Sequence, residues 1–430
     1  MQRNAMDDLI RWKRGGAGKP LVVRGARLVG KTWLLREFGR TAFERTVYAD
    51  LKNNRRIRDL FTDKPDAERI VTGLELFAGQ RIDPENTLII LDEAQEAPAV
   101  PAALKNFSEK APRYKIACAC QAQCGAPGRE SLFSADNVGL VNLYPLSFTE
   151  FMRAMGKDKL AETLLARDYA LCEIFNSDFA DLLRYYIYVG GMPEAAGAFC
   201  ANRDFNEARA IQQNILAAYE RDFSHSAPDE ILPRVRMLWE SVPSQLSKEN
   251  KKFMYGVIKD GARAKEFAAA LAWLDGRGFV NKVMRLSAPG VPADANTDVK
   301  AFKLFPADVG LLSCMLRLKQ DTLLDGNKMF YDYEGALAEQ FVYQQLKTLG
   351  GVGVYYWTNR RGNAEIEFVI ISGTEAIPIE VNARVNLQAK SLKFYRDKYN
   401  PILSIRASMS AYKDEIWLVN IPLWAIETII

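Results

Sequence analysis

Short apolar runs alternate with amphipathic stretches through the first third of the chain. Residues 21–23 form an apolar run, 33–38 carry apolar side chains at helical spacing, and 46–51 read as a second strand. A helix is expected over about 66–78. Residues 87–91 are an unbroken apolar run ending at Asp92 and Glu93, the pattern of a strand buried on both faces of a parallel sheet. Residues 115–120 read as the next strand, and 8–13 as an amphipathic helix ended by Gly15 and Gly16. Strands alternating with helices predict an α/β parallel-sheet domain over residues 1–155.

The pattern then changes. Residues 156–222 alternate apolar and charged positions with helical spacing, broken by Gly190, Gly191 and Pro193, and predict a helical lid over 156–229. Between 230 and 325, helices at 232–242 and 262–274 precede a hairpin of 279–283 with 302–305, a winged-helix-like arrangement. In the last domain, 326–430, residues 333–342 are helical and 355–357 form a strand. Residues 364–371 and 376–382 flank Ser372-Gly373 as a hairpin.

The chemistry concentrates between the first strand and the helix after it. Gly25-Ala26-Arg27-Leu28-Val29-Gly30-Lys31-Thr32 fits G-x-x-x-x-G-K-T, and strand–loop–helix is the context that makes this pattern a P-loop. Its glycines let backbone N–H groups face phosphate oxygens, and the helix N-terminus adds partial positive charge. Lys31 is placed for the β- and γ-phosphates of ATP and Thr32 for Mg²⁺. Gly25, Arg27, Val29, Gly30, Lys31, Thr32 and Trp33 are the expected nucleotide-binding set. Asp92, ending the apolar strand, is assigned to Mg²⁺, and Glu93 to polarising the attacking water.

Arg24 to Trp33, Leu91-Asp92-Glu93-Ala94-Gln95, the stretch 143–151 and residues 188–194 together resemble a widespread bacterial and archaeal AAA-type ATPase family. Its members carry a C-terminal domain of unassigned function and, often, a nuclease-like tail. The resemblance implies an AAA/ASCE-type P-loop NTPase core. One segment departs: where the family usually has Gly-Ser-Leu-Leu-Gly, this chain has Gln121-Ala122-Gln123-Cys124-Gly125, so sensing of the γ-phosphate falls to Gln121 or Gln123. Arg129, Arg153 and Arg184 are equal candidates for an arginine that reaches a neighbouring subunit. The tail resembles the PD-(D/E)XK nuclease core, an α/β restriction-endonuclease-like domain, with Glu334, Glu367 and Glu380 as its acids. Asn382 stands where a lysine is required, and Lys390 or Lys393 would have to replace it. The tail is therefore expected to bind or pack rather than cut.

Composition narrows these expectations slightly. With 430 residues, 48% hydrophobic, 26% charged and a net charge of +4, the chain is ordinary globular material with room for two or three cores. Residues 248–285 hold nine Lys/Arg and four Asp/Glu, a local excess suited to phosphate contact, so DNA is a candidate partner beside ATP and a protein. No apolar stretch reaches membrane-spanning length and residues 1–14 lack a signal-peptide core, so a cytoplasmic, membrane-free protein able to form oligomers is expected. Six irregularly spaced cysteines make no disulfide framework. Cys118, Cys120 and Cys124 lack a histidine to complete a zinc site and read as buried strand residues. His225, the single histidine, reads as a surface residue. Three functional readings stand: a Mg²⁺-dependent ATPase, a nucleotide-binding switch with negligible turnover, and an ATP-regulated nuclease.

Overall fold

The computed structural model describes residues 1–15, 18–61, 66–122, 133, 136–248, 251–290, 292–324, 335–359, 364–382 and 389–429. These divide into two compact units. One comprises Gln2–Tyr144 with Ala272–Phe279, the other Pro145–Leu271 with Val280–Ile430 and Met1.

The first unit is a five-stranded sheet in the order β2-β3-β4-β1-β5, every pairing parallel. Its strands are β1 (Leu21–Arg24), β2 (Arg45–Asp50), β3 (Thr87–Asp92), β4 (Lys115–Cys120) and β5 (Gly139–Asn142). All six residues of β3 are buried, as the unbroken apolar run predicts for a strand with helices over both faces. The helix α1 (Ala5–Arg14) precedes β1, and α2 (Lys31–Ala42) follows the loop after it. Leu34, Leu35 and Phe38 form the buried face of α2, with Gly39 against Thr46 of β2. Because β4 lies between β1 and β3, the loop after β1 and the acids ending β3 meet across the tip of β4. This is the carboxyl edge, where ligands bind in open parallel sheets.

The second unit opens with helices. Asp158–Leu165, Tyr169–Ile174, Asn176–Val189, Pro193–Asn202 and Phe205–Ser226 occupy the segment expected to be a helical lid. An eight-stranded mixed sheet follows, ordered β12-β13-β11-β10-β9-β8-β6-β7. Its strands are β6 (Val280–Leu286), β7 (Thr297–Pro306), β8 (Val352–Thr358), β9 (Glu365–Ser372), β10 (Glu375–Asn382), β11 (Ile405–Ser408), β12 (Lys413–Asp414) and β13 (Val419–Pro422). The hairpin expected as a wing is β6–β7, with Val283 opposite Lys303. It is not a separate wing: Arg285 and Leu286 pair in parallel with Tyr356 and Trp357 of β8, so one sheet runs across residue 325, where the sequence suggested a domain boundary. Phe305 stacks on Tyr343 at 4.8 Å and lies 5.9 Å from Phe368, so hairpin and tail also share side-chain packing. At the C-terminal end, Trp424 stacks on Phe179 at 4.4 Å and donates Nε1–H to Asn176 Oδ1 at 3.1 Å. The supposed lid helices and the tail thus belong to one body.

Candidate nucleotide site

The loop after β1 is shaped by its neighbours. Gly25 donates its N–H to the Cys120 carbonyl at 3.3 Å, and a Cβ there would fall 2.1 Å from the Leu143 carbonyl oxygen, so only glycine fits. Leu28 (φ 66°) and Gly30 (φ 93°) then adopt left-handed backbone that curls the loop into the start of α2. From beneath, the buried Arg3 guanidinium donates to the carbonyls of Val29 at 3.1 Å and Tyr144 at 2.6 Å.

Lys31 folds back on this loop, its Nζ donating to the carbonyls of Gly25 at 3.0 Å and Ala26 at 2.8 Å. Burial of the ammonium lowers its pKa to about 8; the Glu93 and Asp92 carboxylates pull the other way and Arg27 adds to the lowering. Asp92 is buried. Its Oδ2 accepts from Thr32 Oγ1 at 2.7 Å and from the Tyr48 hydroxyl at 2.8 Å, and its Oδ1 from the Glu93 N–H at 3.0 Å. Glu93 sits at φ 53°, a left-handed conformation unusual for glutamate, and its Oε2 accepts from Gln95 Nε2 at 2.5 Å. The acid pair and the P-loop, some sixty residues apart in sequence, therefore form one cluster.

Of the expected nucleotide set, Gly25, Gly30, Lys31 and Thr32 line this cluster. Val29 is fully buried and offers only its backbone, Arg27 is half-buried and Trp33 is 45% exposed. Gln121 is buried at the end of β4, whereas Gln123, Cys124, Gly125 and Arg129 lie outside the described residues. Sequence reasoning missed Tyr48, Gln95 and Arg3. Tyr48 follows from strand register alone: β2 pairs with β3, placing Asp50 opposite Asp92. Cys118 and Cys120 are buried on β4, as expected, and the free Cys118 thiol has its pKa raised by burial and by Asp92.

The chemistry of the donors suits Mg²⁺. That ion takes oxygen ligands, usually one or two from protein with the rest from phosphate and water, and Thr32 Oγ1 beside the Asp92 carboxylate is such a pair. Among the described residues, no group of three or more His, Cys, Asp or Glu is placed to hold a metal by itself.

The second acidic cluster, in the sheet of the second unit, is arranged differently from expectation. Lys303 of β7, with no solvent exposure, contacts Glu339 at 3.2 Å and Glu365 at 2.6 Å, and Lys251 contacts Glu339 at 2.8 Å. Burial opposes the Lys303 ammonium, but the carboxylates of Glu339, Glu365 and Glu367 outweigh it and raise its pKa. Glu367 joins this group. Burial and its acidic neighbours push its pKa up to about 8, and its Oε2 accepts the Val381 N–H at 2.9 Å. Glu380 is held elsewhere: burial raises its pKa to about 7, partly offset by Arg406, which stands opposite it on β11. Glu367 and Glu380 thus have different charged neighbours. Asn382 ends β10, and Glu334 lies outside the described residues. Glu339, five residues further along the sequence, is the acid that helix Ala336–Thr348 brings to the sheet.

Other expectations find their places. Within the basic stretch 248–285, acids engage Lys251 (Glu339), Lys259 (Glu266 at 3.4 Å) and Arg285 (Asp298 at 2.5 Å). Arg184 pairs with Asp181 on its own helix, and Arg153 lies on Phe148–Ala154 in the second unit. His225 is exposed, its Nδ1 2.6 Å from the Arg221 carbonyl oxygen. No helix among the described residues is long and apolar enough to cross a membrane.

A family model described as an AAA domain matches residues 17–152. The first unit is an AAA-type P-loop domain. Two further models match, both described as domains of unknown function: DUF8612 over residues 180–322 and DUF4143 over 334–424. Among solved structures, the chain is similar to the Walker-type ATPase paby2304 of Pyrococcus abyssi, at 14% identity over 73% of this chain and 95% of that one, with a TM-score of 0.42. It is also similar to Cdc6p from Pyrobaculum aerophilum (11% identity, 74% and 95% coverage, TM-score 0.26). A third likeness is to Drosophila ORC bound to DNA (13%, 73% and 94%, 0.27). No curated protein matches the chain. The AAA assignment rests on the family match and on the strand order around the loop.

Proposed function

We propose that this AAA-type domain binds ATP with Mg²⁺ and hydrolyses it. Lys31 reaches the β- and γ-phosphates, Thr32 and Asp92 hold the metal, and Glu93 accepts a proton from the attacking water. The metal supplies neutralisation of charge on the phosphate oxygens. One observation carries the reading: the Thr32 hydroxyl and Asp92 carboxylate stand 2.7 Å apart at the carboxyl edge, with the Lys31 side chain folded back on the adjoining loop. Backbone N–H groups at the start of α2 complete the phosphate cradle.

The test is phosphate release by wild type, Glu93→Gln and Lys31→Ala, with and without DNA. Removal of a general base costs about 10²–10⁴-fold, so Glu93→Gln should bind ATP and release phosphate at least about a hundredfold more slowly. Lys31→Ala should lose ATP binding. Equal rates for wild type and Glu93→Gln, with both binding ATP, would sink the enzymatic reading. They would leave the nucleotide switch, which one contact favours: Gln95 already occupies the Glu93 carboxylate and must release it before a water can be activated.

For the tail, the element order supports the nuclease-core resemblance. Helix Ala336–Thr348 is followed by antiparallel β8–β9–β10, then helix Lys390–Tyr399 and parallel β11. Cutting is disfavoured because Lys303 and Lys251 occupy Glu339 and Glu365, Glu380 has a different charged neighbour in Arg406, and Asn382 brings no cation. DNA or a protein partner for the second unit stays a proposal for the same experiments, read as stimulation of phosphate release.

A further inference from the structure

We propose that Tyr48 is a positioning residue: its hydroxyl holds the Asp92 carboxylate in the orientation that takes Mg²⁺ with the triphosphate, and so sets the metal dependence of nucleotide binding. This rests on the ATP reading above. Three donors fix Asp92, and they come from different elements. Thr32 Oγ1 reaches Oδ2 from the start of α2 at 2.7 Å, the Glu93 N–H reaches Oδ1 from the chain just past β3 at 3.0 Å, and the Tyr48 hydroxyl reaches Oδ2 from β2 at 2.8 Å. Thr32 has its own part in holding the metal, and Glu93 belongs to the water-activating residue. Tyr48 has neither duty, so it remains an anchor of the carboxylate whatever the site contains.

The anchor is itself fixed. Tyr48 stands on β2 in register with Ile90, two residues before the Asp50–Asp92 pair, so its strand is hydrogen-bonded to the one that ends in the acid. Arg36, one turn into α2, places its guanidinium 3.9 Å from the centre of the Tyr48 ring. The phenol O–H has the Asp92 Oδ2, 2.8 Å away, as its acceptor. A donor to a metal-binding carboxylate is an outer partner of the metal, and losing such partners typically costs about 10–100-fold in metal affinity.

The experiment measures binding of a fluorescent ATP analogue in Mg²⁺ and in EDTA, with Mg²⁺ titrated between the two, for wild type, Tyr48→Phe, Arg36→Ala and Lys31→Ala. Tyr48→Phe keeps the ring and its stacking and deletes only the hydroxyl; its melting temperature checks the fold. The Mg²⁺ concentration for half-maximal binding should rise about tenfold in Tyr48→Phe, near the lower end expected for an outer partner. Affinity in EDTA should stay at the wild-type value, and saturating Mg²⁺ should rescue the variant. Arg36→Ala should move in the same direction by less. If wild type gains from Mg²⁺, Lys31→Ala abolishes binding, and Tyr48→Phe titrates like wild type, the role of Tyr48 is wrong and the ATP reading survives. If wild type binds in neither buffer, or binds with no gain from Mg²⁺, both are overturned.

Discussion

Lys303→Met tests whether the acids of the second unit form a closed ion cluster. The side chain has no exposure and touches two carboxylates, Glu339 at 3.2 Å and Glu365 at 2.6 Å, with Glu367 adding to the field. Methionine has similar length and no charge, so it leaves Glu339 with Lys251 alone and takes the buried cation from Glu365. Removing one partner of a buried pair costs about 3–5 kcal/mol, against about 0–1 kcal/mol for an exposed pair. Because Lys251 remains, the lower end is expected, about 3 kcal/mol at pH 7. The sign with pH follows from the shifts. The Glu339 pKa is lowered in the fold, despite burial, by Lys303 and Lys251, so its stabilisation is present above the unfolded carboxylate pKa and lost as pH falls. The Lys303 pKa is raised, so its contribution is full below the unfolded lysine pKa. The penalty of Lys303→Met should therefore be largest from about pH 5 to 10 and shrink below about pH 5, as the orphaned carboxylates take up protons. Thermal unfolding of the full chain across that range reads this directly, and Lys303→Met with Glu339→Gln and Glu365→Gln should recover part of the loss. A penalty under about 1 kcal/mol at pH 7, or one that persists unchanged to pH 4, would refute the buried cluster.

Two further outcomes follow from the first unit. With its pKa lowered to about 8, Lys31 is half deprotonated near pH 8, and the ATP phosphates will draw it back to the charged form. Binding should then take up about half a proton at pH 8 and about a tenth at pH 7, measured by calorimetry in buffers of different ionisation enthalpy; no uptake at pH 8 would place the ammonium elsewhere. Gly278 holds φ 76°, and a Cβ there would lie 2.7 Å from the Ala122 Cβ and 3.1 Å from the Ala26 Cα, so Gly278→Ala should cost about 1–2 kcal/mol and weaken ATP binding through the P-loop; unchanged affinity would separate this segment from the site.

Legibility in the sequence tracked the range over which each feature is encoded. The P-loop, the buried strand and its terminal acids are local patterns, and β1, α2 and β3 lie where periodicity puts them. Tyr48 and Lys303 are not local. Tyr48 matters only because β2 neighbours β3, and Lys303 reaches Glu365 only because β7 joins a sheet that continues through β6 and β8 to β9. E-x-K spacing points to residue 382, the place where a cation would be sequence-adjacent to Glu380. The cation that faces Glu380 is instead Arg406 of β11, while Lys303 of β7 lies among Glu339, Glu365 and Glu367. Similarly, Glu334 and Glu339 are both acids near the start of one predicted helix, and composition cannot say which of them the helix turns towards the sheet.

The contacts at the P-loop also bear on how the site would respond to nucleotide. Each group assigned to ATP or Mg²⁺ already has a protein partner: Lys31 the carbonyls of Gly25 and Ala26, Thr32 the Asp92 carboxylate, and Glu93 the Gln95 amide. Buried polar groups require such partners whenever the ligand is absent. Binding is therefore an exchange of hydrogen bonds, and its net gain is smaller than a count of phosphate contacts suggests. The three exchanges differ in kind. On the proposed reading, Lys31 would turn from neutral carbonyls to charged phosphates, Thr32 would keep donating to Asp92 while its oxygen faces the metal, and Glu93 would have to leave Gln95. Affinity and turnover would then be set by different contacts, and the rate of hydrolysis would depend on how readily Gln95 lets go of Glu93.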